Sequence, residues 1–355
     1  MLSIQIDCHQ YSKKGKTGLH NIGNTCFINS CVQILNHIYE LVEVFHLEKV
    51  HKIMKQDTAD TTILKEWLDL RETMWSNDCA TVSPNKFVYM IQMIARQKQK
   101  ELFTGFAQND FTEFLLFIMD CFHNSICRPI QMNIKGKEVN EIDKIATKTY
   151  ECLKRTYSKE YSEIMELFYG IYLSNIYSIV GNHKYSNTPE LFFTTDLPIP
   201  LNMDRITLYD CFDYYTSPEY ITGDNAWYNE MTGKKEEVIK KISFWSLPTI
   251  FIITLKRFHA THLTKMNHLV EFPVDELDMT PYIEGYHPKE YKYELFGICN
   301  HIGNVSGGHY TSFVKNIDGE WNHFNDNHIE RVTNPESIIT PMAYCLFYRK
   351  KNKYL

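Results

Sequence analysis

A cysteine near the start of the chain lies where a nucleophile could be activated. Cys26 follows Gly23, which permits a tight turn, and Asn24, a favourable N-cap, so it is predicted to fall in the first turn of a helix. The unpaired N–H groups of that turn favour the thiolate, the nucleophilic form of cysteine. Most cysteines are inert, however, so position alone favours a small apolar residue over a nucleophile.

A cysteine nucleophile needs a base and a polar group that orients the base. Among fifteen histidines, His309 is selected by its context, because it follows Gly307 and Gly308 and opens a predicted strand. The missing side chains of the two glycines allow a substrate backbone to approach closely. The next predicted strand ends in Asn325 and Asp326, either of which could orient the imidazole. Each motif taken alone is more simply explained as an ordinary turn.

The elements that must hold these residues change character halfway along the chain. The first half has the apolar spacing of helices, and the second has short β-branched or alternating runs typical of strands. This order predicts an α+β fold, with a cleft between the two halves as the natural place for a site. The predicted helices lie after Thr25, at 62–75, after Pro84, at 111–122 and within 140–167, and the predicted strands at 249–255, 293–299, 309–315, 321–326 and 343–348.

Composition excludes several classes of protein. The chain has 355 residues, of which 44% are hydrophobic and 23% charged, so it is not a disordered protein. A formal net charge of -6 gives no support to a nucleic-acid partner. No apolar run could span a bilayer and no signal peptide is recognisable, which predicts a reducing compartment and no membrane partner. Aromatic residues make up 14%, through either compositional bias or an extended protein-binding surface.

Ten cysteines are present, and no two of them form a C-x-x-C pair. A metal knuckle of that type is therefore absent, and a chain of this length does not need disulfides. We expect most of these cysteines to be free, buried thiols.

Five segments carry residue patterns that occur together in one protein family. Residues 18–30 (Gly-Leu-His-Asn-Ile-Gly-Asn-Thr-Cys-Phe-Ile-Asn-Ser) resemble the cysteine box of the ubiquitin-specific proteases. Residues 307–310 (Gly-Gly-His-Tyr), with Trp321 and 324–326 behind them, resemble the histidine box of that family. The other three segments are similar to its Gln-Gln-Asp segment, its Leu-Lys-Arg-Phe strand and its closing strand, and they lie at 108–115, 255–258 and 343–348. Together, in the family's order, they are highly specific.

The resemblance implies a papain-like cysteine protease with a helical thumb, an antiparallel β palm and β fingers. The predicted catalytic domain covers 17–350, after an N-terminal extension at 1–16 and before a C-terminal tail at 351–355. Within it, the thumb is expected at about 17–167, the fingers at about 168–248 and the palm at about 249–350.

The resemblance also assigns catalytic roles to residues of this chain. Cys26 would be the nucleophile, His309 the general base and then acid, and Asn325 the residue that orients the imidazole, with Asp326 as its substitute. Asn21 would donate its side-chain N–H to the oxyanion, together with the Cys26 backbone N–H. The alternative for Asn21 is a loop residue that bonds to its own backbone.

Substrate-binding roles follow from the same motifs. Asp110 and Glu113 stand three apart before an apolar helix, which is a capping-box arrangement. The resemblance places Asp110 along the channel for the ubiquitin tail, whose arginines suit carboxylate partners. Both roles are open for Asp110. The other predicted substrate-binding residues are Gln108, Phe258, Gly307, Gly308 and Tyr310.

Many family members hold a zinc ion in the fingers through two C-x-x-C pairs. The resemblance places those four positions at Ile179, Asn182, Asn229 and Thr232, none of which carries sulfur or imidazole. No metal and no cofactor is therefore predicted, and strand pairing and apolar packing are expected to hold the fingers.

Three histidines follow Phe258 closely, at His259, His262 and His268. Two of them could meet at one metal ion only if the segment were helical, whereas it follows a predicted strand. A solvated loop is therefore favoured over a metal site. The resemblance places this loop near the mouth of the active site, where it could contact ubiquitin.

The function implied is a thiol-dependent deubiquitinase that hydrolyses the peptide or isopeptide bond after the C-terminal glycine of ubiquitin. Ubiquitin and ubiquitinated proteins are the expected partners, in a reducing compartment such as the cytoplasm or nucleus. Two alternatives are open: a protease for a ubiquitin-like modifier, and a ubiquitin-binding module with a silenced site. All the catalytic residue types are present, which argues against silencing.

Overall fold

Helices fill most of the first half of the chain, and strands fill most of the second. The computed structural model describes residues 4–76, 78–180, 183–201, 203–259, 264–304 and 307–351. Within those ranges the helices are α1 (Cys8–Tyr11), α2 (Cys26–Asn36), α3 (Tyr39–His46), α4 (Glu48–Ile53), α5 (Ala59–Trp75), α6 (Asn85–Gln97), α7 (Phe111–Ile126), α8 (Glu141–Tyr157), α9 (Glu163–Phe168) and α10 (Leu208–Thr216). None of these helices is long and apolar enough to cross a lipid bilayer.

The strands described in the same ranges form one large sheet, a four-stranded sheet and several short pairs. They are β1 (Gly18–Leu19), β2 (Thr81–Val82), β3 (Gly170–Ser178), β4 (Lys184–Phe192), β5 (Thr194–Leu197), β6 (Ile206–Thr207), β7 (Glu219–Ile221), β8 (Trp227–Asn229), β9 (Lys234–Glu236), β10 (Val238–Ser246), β11 (Ile250–Leu255), β12 (Phe258–His259), β13 (Thr264–Lys265), β14 (Val270–Glu271), β15 (Leu277–Asp278), β16 (Lys292–Asn304), β17 (Gly307–Lys315), β18 (Trp321–Asn325), β19 (His328–Arg331) and β20 (Ala343–Lys350).

Helix α2 is the central element of the helical half. All eleven of its residues are buried, which is expected of a helix that is apolar on most of its faces. It packs against α7 on one side and against β17 of the large sheet on another. Its polar residues are bonded internally, as where Gln33 Nε2 donates to the carbonyl oxygen of Thr17 at 2.8 Å. The first residue of this helix, Cys26, is therefore held on a rigid element.

The large sheet has the strand order β19-β18-β17-β16-β20-β11-β5, with β15 paired to β16. Every residue of β11, at the position of the strand predicted at 249–255, is buried, so this strand is covered on both faces. Ile250 and Ile252 face the core of the helical half, whereas Phe251, Ile253 and Leu255 face a second core. The sheet is thus the middle layer of the molecule, and its neighbouring strands β17 and β18 carry His309 and Asn325 side by side.

The four-stranded sheet has the order β4-β3-β10-β7, and α8 packs across it. Ala146 on α8 meets Ile171, Leu173 and Trp245 on the strands. The segment from about 168 to 248 that was assigned to the fingers is not a single unit, however. Strand β5 belongs to the large sheet, and α10 packs into the second core through residues such as Phe212.

The predicted elements differ from the structure in several places. The N-cap of α2 is Thr25 and not Asn24, because Asn24 adopts a left-handed conformation with φ of 53°. The Asn24 side chain donates instead to the carbonyl oxygen of Phe106 at 2.9 Å. Helices α3, α4 and α10 were not predicted. The sheet is also not wholly antiparallel, because β5 runs parallel to β11.

A buried ion pair joins the helical half to the large sheet. Arg349 on β20 donates from Nε to Glu40 Oε1 at 2.7 Å and from Nη2 to Oε2 at 3.2 Å. Its Nη2 also donates to the carbonyl oxygen of His37 at 2.9 Å, and the guanidinium lies 4.4 Å from the ring centroid of Phe296. Because Glu40 is only 7% exposed, neither charge has much access to water.

We predict that Arg349→Met destabilises the protein by about 3–5 kcal/mol, because it leaves the Glu40 carboxylate buried without its partner. Urea unfolding followed by fluorescence measures the loss. The double variant Glu40→Leu with Arg349→Met should recover most of it, since apolar pairs often replace buried ion pairs well. A loss below about 1 kcal/mol in the single variant, the size typical of exposed pairs, would contradict this account.

Candidate active site

Cys26 is the first residue of α2, and only 2% of it is exposed. Burial raises the pKa of the thiol, and the charge of Asp326 raises it further. The backbone N–H groups of Tyr310, Phe27 and Cys26 itself point at the sulfur and lower the pKa, but they do not offset the burial. The helix start thus supplies the expected donors, while the surroundings of Cys26 together raise the pKa of its thiol.

The His309 ring is held by a hydrogen bond of 2.7 Å between its Nε2 and Asn325 Oδ1. An amide oxygen only accepts, so Nε2 carries the ring proton in the neutral imidazole. The lone pair of Nδ1 is then free to take a proton from a reacting group. Asn325 therefore fixes both the orientation and the tautomer of the ring, which is the role expected of the third residue in such a site.

Asp326 is bonded away from the imidazole, although it directly follows Asn325. Its carboxylate accepts from Asn21 Nδ2 at 3.0 Å and from Asn29 Nδ2 at 2.8 Å. Its backbone carbonyl accepts from the Leu19 N–H at 3.0 Å. These bonds tie the loop before α2 and the buried face of α2 to the end of β18. Asn29 was not predicted, although a polar residue one turn after Cys26 on a buried helix was a usable signal.

The Asn21 side chain bonds to the backbone of its own loop and also to Asp326, next to Asn325. Its Oδ1 accepts from the backbone N–H groups of Gly23 and Thr25, each at 3.1 Å. These bonds agree with the alternative role expected for Asn21, that of a loop residue that bonds to nearby backbone. Its Nδ2 carries two hydrogens, of which Asp326 takes one. The other hydrogen is the one that could reach an oxyanion.

Asp110 joins α7 to the large sheet. Its Oδ1 caps α7 by accepting from the backbone N–H groups of Thr112 at 2.8 Å and Glu113 at 3.1 Å. Its Oδ2 accepts from Tyr344 Oη at 2.8 Å and from Tyr310 Oη at 3.4 Å. Both oxygens are thus engaged within the protein, which supports the capping interpretation of Asp110.

The Gln108 side chain contacts the backbone beside His309. Its Nε2 donates to the Gly308 carbonyl oxygen at 2.8 Å, and its Oε1 accepts from the Gly308 N–H at 2.7 Å. A Cβ atom added at Gly307 would lie 2.6 Å from Gln108 Oε1. A side chain at 307 would therefore displace the end of the Gln108 side chain from these bonds.

A groove of about 310 Å³ opens between the start of α7 and the end of β11. Glu113 and Phe258, both predicted to bind substrate, line it together with Asp196 and Tyr344. Burial raises the pKa of Glu113, and the nearby charge of Asp110 raises it further. Asp196 was not predicted, because it reaches the groove only through the parallel pairing of β5 with β11, which no local pattern shows.

Comparisons with known proteins address the family directly. A family model described as ubiquitin carboxyl-terminal hydrolase matches residues 17–348. The chain belongs to this hydrolase family. Its helical half, large sheet and four-stranded sheet are therefore the thumb, palm and fingers of a ubiquitin-specific protease fold.

Individual relatives and solved structures support the same assignment. The chain is 30% identical to Usp2 of Drosophila melanogaster and to human ubiquitin carboxyl-terminal hydrolase 2, over 95% of its own length. It spans only 35% and 55% of those two relatives. It is 26% identical to a probable hydrolase of Acanthamoeba polyphaga mimivirus, over 99% of this chain and 94% of that one.

The solved structures to which the chain is similar include two of the SAGA deubiquitinating module containing Ubp8. One is bound to monoubiquitin, with a TM-score of 0.73 at 22% identity, and covers 99% of this chain and 72% of that one. The other is bound to ubiquitin aldehyde, with a TM-score of 0.72 at 23% identity, and covers 96% and 70%. At this level of identity the likeness establishes the fold.

The four positions expected from the resemblance to correspond to zinc ligands carry residues that do not suit a metal. Asn229 and Thr232 both donate to Glu236 Oε1, at 3.0 Å and 2.7 Å. Ile179 has an apolar side chain, and Asn182 lies outside the described residues. In the part of the chain that the structure describes, no group of three or more His, Cys, Asp or Glu residues could hold a metal ion. The Glu236 carboxylate thus links Asn229 and Thr232 by hydrogen bonds in the hairpin of β8 and β9.

The histidines after Phe258 are described only in part. His268 is exposed, and its carbonyl oxygen accepts from Arg257 Nη1 at 2.8 Å. His262 and the side chain of His259 lie outside the described part of the structure.

We predict that Asp326→Asn speeds the alkylation of Cys26 by iodoacetamide a few-fold at neutral pH, because it removes a charge that raises the pKa of the thiol. Peptide mass spectrometry of the Cys26 fragment measures the rate. Glu330→Gln on β19 is the matched control, because it removes a charge from a neighbouring strand. A rate that falls in Asp326→Asn would mean that the carboxylate does not oppose ionisation of Cys26.

We predict that prolonged dialysis against a strong chelator leaves the Tm unchanged, and that Glu236→Ala speeds amide hydrogen exchange across 227–236. The second effect follows because Asn229 and Thr232 lose their shared acceptor. Glu230→Ala, in the same hairpin, is the control and should exchange as the wild type does. A chelator-dependent drop in Tm would show that a metal holds the fold.

Proposed function

We propose that this chain is a thiol-dependent deubiquitinase, with Cys26 as nucleophile, His309 as base and acid, and Asn325 as the residue that orients the ring. The observation that carries the proposal is the His309–Asn325 bond of 2.7 Å on two adjacent strands, together with the packing of α2, which begins at Cys26, against the strand that carries His309. This is the set of groups that cysteine-dependent acyl transfer requires. Membership of the ubiquitin carboxyl-terminal hydrolase family supplies the substrate class.

The first half of the proposed reaction forms a thioester. The Cys26 sulfur attacks the carbonyl carbon of the C-terminal glycine of ubiquitin while its proton passes to His309 Nδ1. The carbonyl oxygen becomes an oxyanion, which accepts from the Cys26 backbone N–H and from the second Nδ2 hydrogen of Asn21. When this intermediate collapses, the C–N bond breaks and the imidazolium gives its proton to the leaving lysine amine.

The second half releases ubiquitin. A water molecule gives one proton to His309 Nδ1 and attacks the thioester carbonyl, and the C–S bond then breaks. The proton returns to the Cys26 sulfur, and ubiquitin leaves with a free carboxylate. Within the complex, His309 and the backbone donors act together on the first proton transfer, which offsets the raised pKa of the Cys26 thiol.

The groove between α7 and β11 is proposed as the binding site for an arginine of the ubiquitin tail. Glu113 and Asp196 supply two carboxylates there, and Phe258 and Tyr344 supply an apolar wall. The positive charge of an arginine would offset the effects of burial and of Asp110 that raise the pKa of Glu113. Because both oxygens of Asp110 are engaged within the protein, Glu113 and Asp196 are stronger candidates than Asp110 for this contact. Gly307, Gly308 and Tyr310 would line the path to Cys26.

Ubiquitin and ubiquitinated proteins are therefore the proposed partners, and a reducing compartment inside the cell is the proposed location. The ten cysteines, all present as free thiols, support that location. The solved relatives bound to monoubiquitin and to ubiquitin aldehyde support the choice of partner. The extension, catalytic domain and tail at 1–16, 17–350 and 351–355 remain the proposed division of the chain.

The test uses ubiquitin that carries a C-terminal electrophile. We expect it to label Cys26 covalently, with loss of labelling in Cys26→Ala and a strong reduction in His309→Ala, followed by intact-mass and peptide mass spectrometry. Cys79, which is exposed, should stay unmodified and serves as the internal control. Labelling by a ubiquitin-like analogue alone would overturn the substrate, and no labelling by either probe would favour a binding module.

A further inference from the structure

At its N-terminal end, strand β17 is paired with a described strand on one side only, and its other side is called the open edge below. β17 pairs with β16 from Gly307 onward, but the described part of β18 pairs with it only from Ser312 onward. In a strand, the N–H and C=O of alternate residues point to the same edge. The N–H and C=O of Gly308 both bond to Gln108, so they point away from β16. The N–H and C=O of Tyr310, two residues later, point to the same open edge.

Two groups from the helical half meet this open edge in succession. Gln108 occupies it at Gly308 through the bonds of 2.8 and 2.7 Å, and the Cys26 sulfur lies at the Tyr310 N–H. Two residues of a strand span about 7 Å, so the amide and the sulfur are near neighbours along the edge. His309 lies between these two contacts.

A side-chain amide suits this edge because it has one donor and one acceptor side, like a peptide group. It therefore satisfies both the N–H and the C=O of one residue, as a neighbouring strand would. The fit is close on both sides of the strand. A Cβ atom at Gly308 would lie 2.4 Å from His301 Nε2, and one at Gly307 would lie 2.6 Å from Gln108 Oε1. The backbone at 307–308 is thus confined between the amide and His301.

We propose that Gln108 is a positioning residue, which takes the place of a missing strand at the open edge of β17 and holds that edge against Cys26. Without the amide, the backbone before His309 is paired on one side only, and the Tyr310 N–H is free to move away from the sulfur. The inference goes beyond substrate binding, the role first expected of Gln108. It rests on the proposed role of Cys26 as nucleophile.

The test compares Gln108→Met, which keeps the length of the side chain and removes both hydrogen bonds, with Asn109→Leu. Asn109 is a neighbouring amide that bonds only within its own loop, to the Ala107 carbonyl oxygen, at 3.0 Å. The rate of Cys26 alkylation by iodoacetamide is measured from pH 6 to 10 by peptide mass spectrometry. This probe needs no ubiquitin, so the result does not depend on the proposed substrate. The exposed thiol of Cys79 is the internal reference.

We expect Gln108→Met to slow Cys26 alkylation about tenfold at pH 8 and to shift the rate profile to higher pH. This is the size expected for the loss of one hydrogen bond to a charged group. Asn109→Leu and the rate of Cys79 should not change. With ubiquitin as substrate, kcat should fall and KM should stay within about twofold.

Two outcomes would overturn the proposal. An unchanged Cys26 profile in Gln108→Met would show that the amide does not position the edge. Faster alkylation of Cys26 would show that the amide shields the sulfur. A rise in KM alone, with the alkylation profile unchanged, would return Gln108 to a substrate-binding role.

Discussion

The carboxylate of Asp110 joins the thumb to the palm at the start of α7, next to the strand that carries His309. One of its oxygens caps α7, and the other receives the hydroxyl groups of Tyr344 and Tyr310. The proposed nucleophile lies on a helix and the proposed base on a sheet, so the site exists only if these two layers keep one spacing. The buried pair of Glu40 on α3 and Arg349 on β20 joins the same two layers.

Much of this architecture could be predicted from local patterns. The helix at 111–122 and the strand at 249–255 were recognisable because burial imposes a fixed period on apolar residues. The bonding of Asp326 was not predictable, because its partners Asn21 and Asn29 are 305 and 297 positions away. Its place beside Asn325 suggested a second orienting group, whereas the fold turns it towards the loop before α2. Asn325 is the last residue of β18, and Asp326 leaves the strand in a turn with a left-handed φ of 52°.

Other differences have the same origin in tertiary structure. Asn24 has the chemistry of an N-cap, but the Phe106 carbonyl oxygen takes its amide, and Thr25 becomes the boundary of α2. Strand β5 has four residues, too few to recognise from the sequence. It forms through its parallel pairing with β11, which satisfies backbone groups on that edge of the sheet. In the hairpin of β8 and β9, the resemblance led us to expect no metal ligands at 229 and 232. The sequence did not indicate that Asn229 and Thr232 would both donate to the Glu236 carboxylate.

The burial of Cys26 also affects how readily its sulfur is oxidised. Peroxide and other oxidants react with thiolates far faster than with thiols, and over-oxidation to sulfinic or sulfonic acid is not reversed by ordinary thiols. With the pKa of Cys26 raised by its surroundings and only 2% of the residue exposed, the sulfur presents little that an oxidant can attack. The same burial that raises the pKa of the thiol thus protects the sulfur against chemical damage.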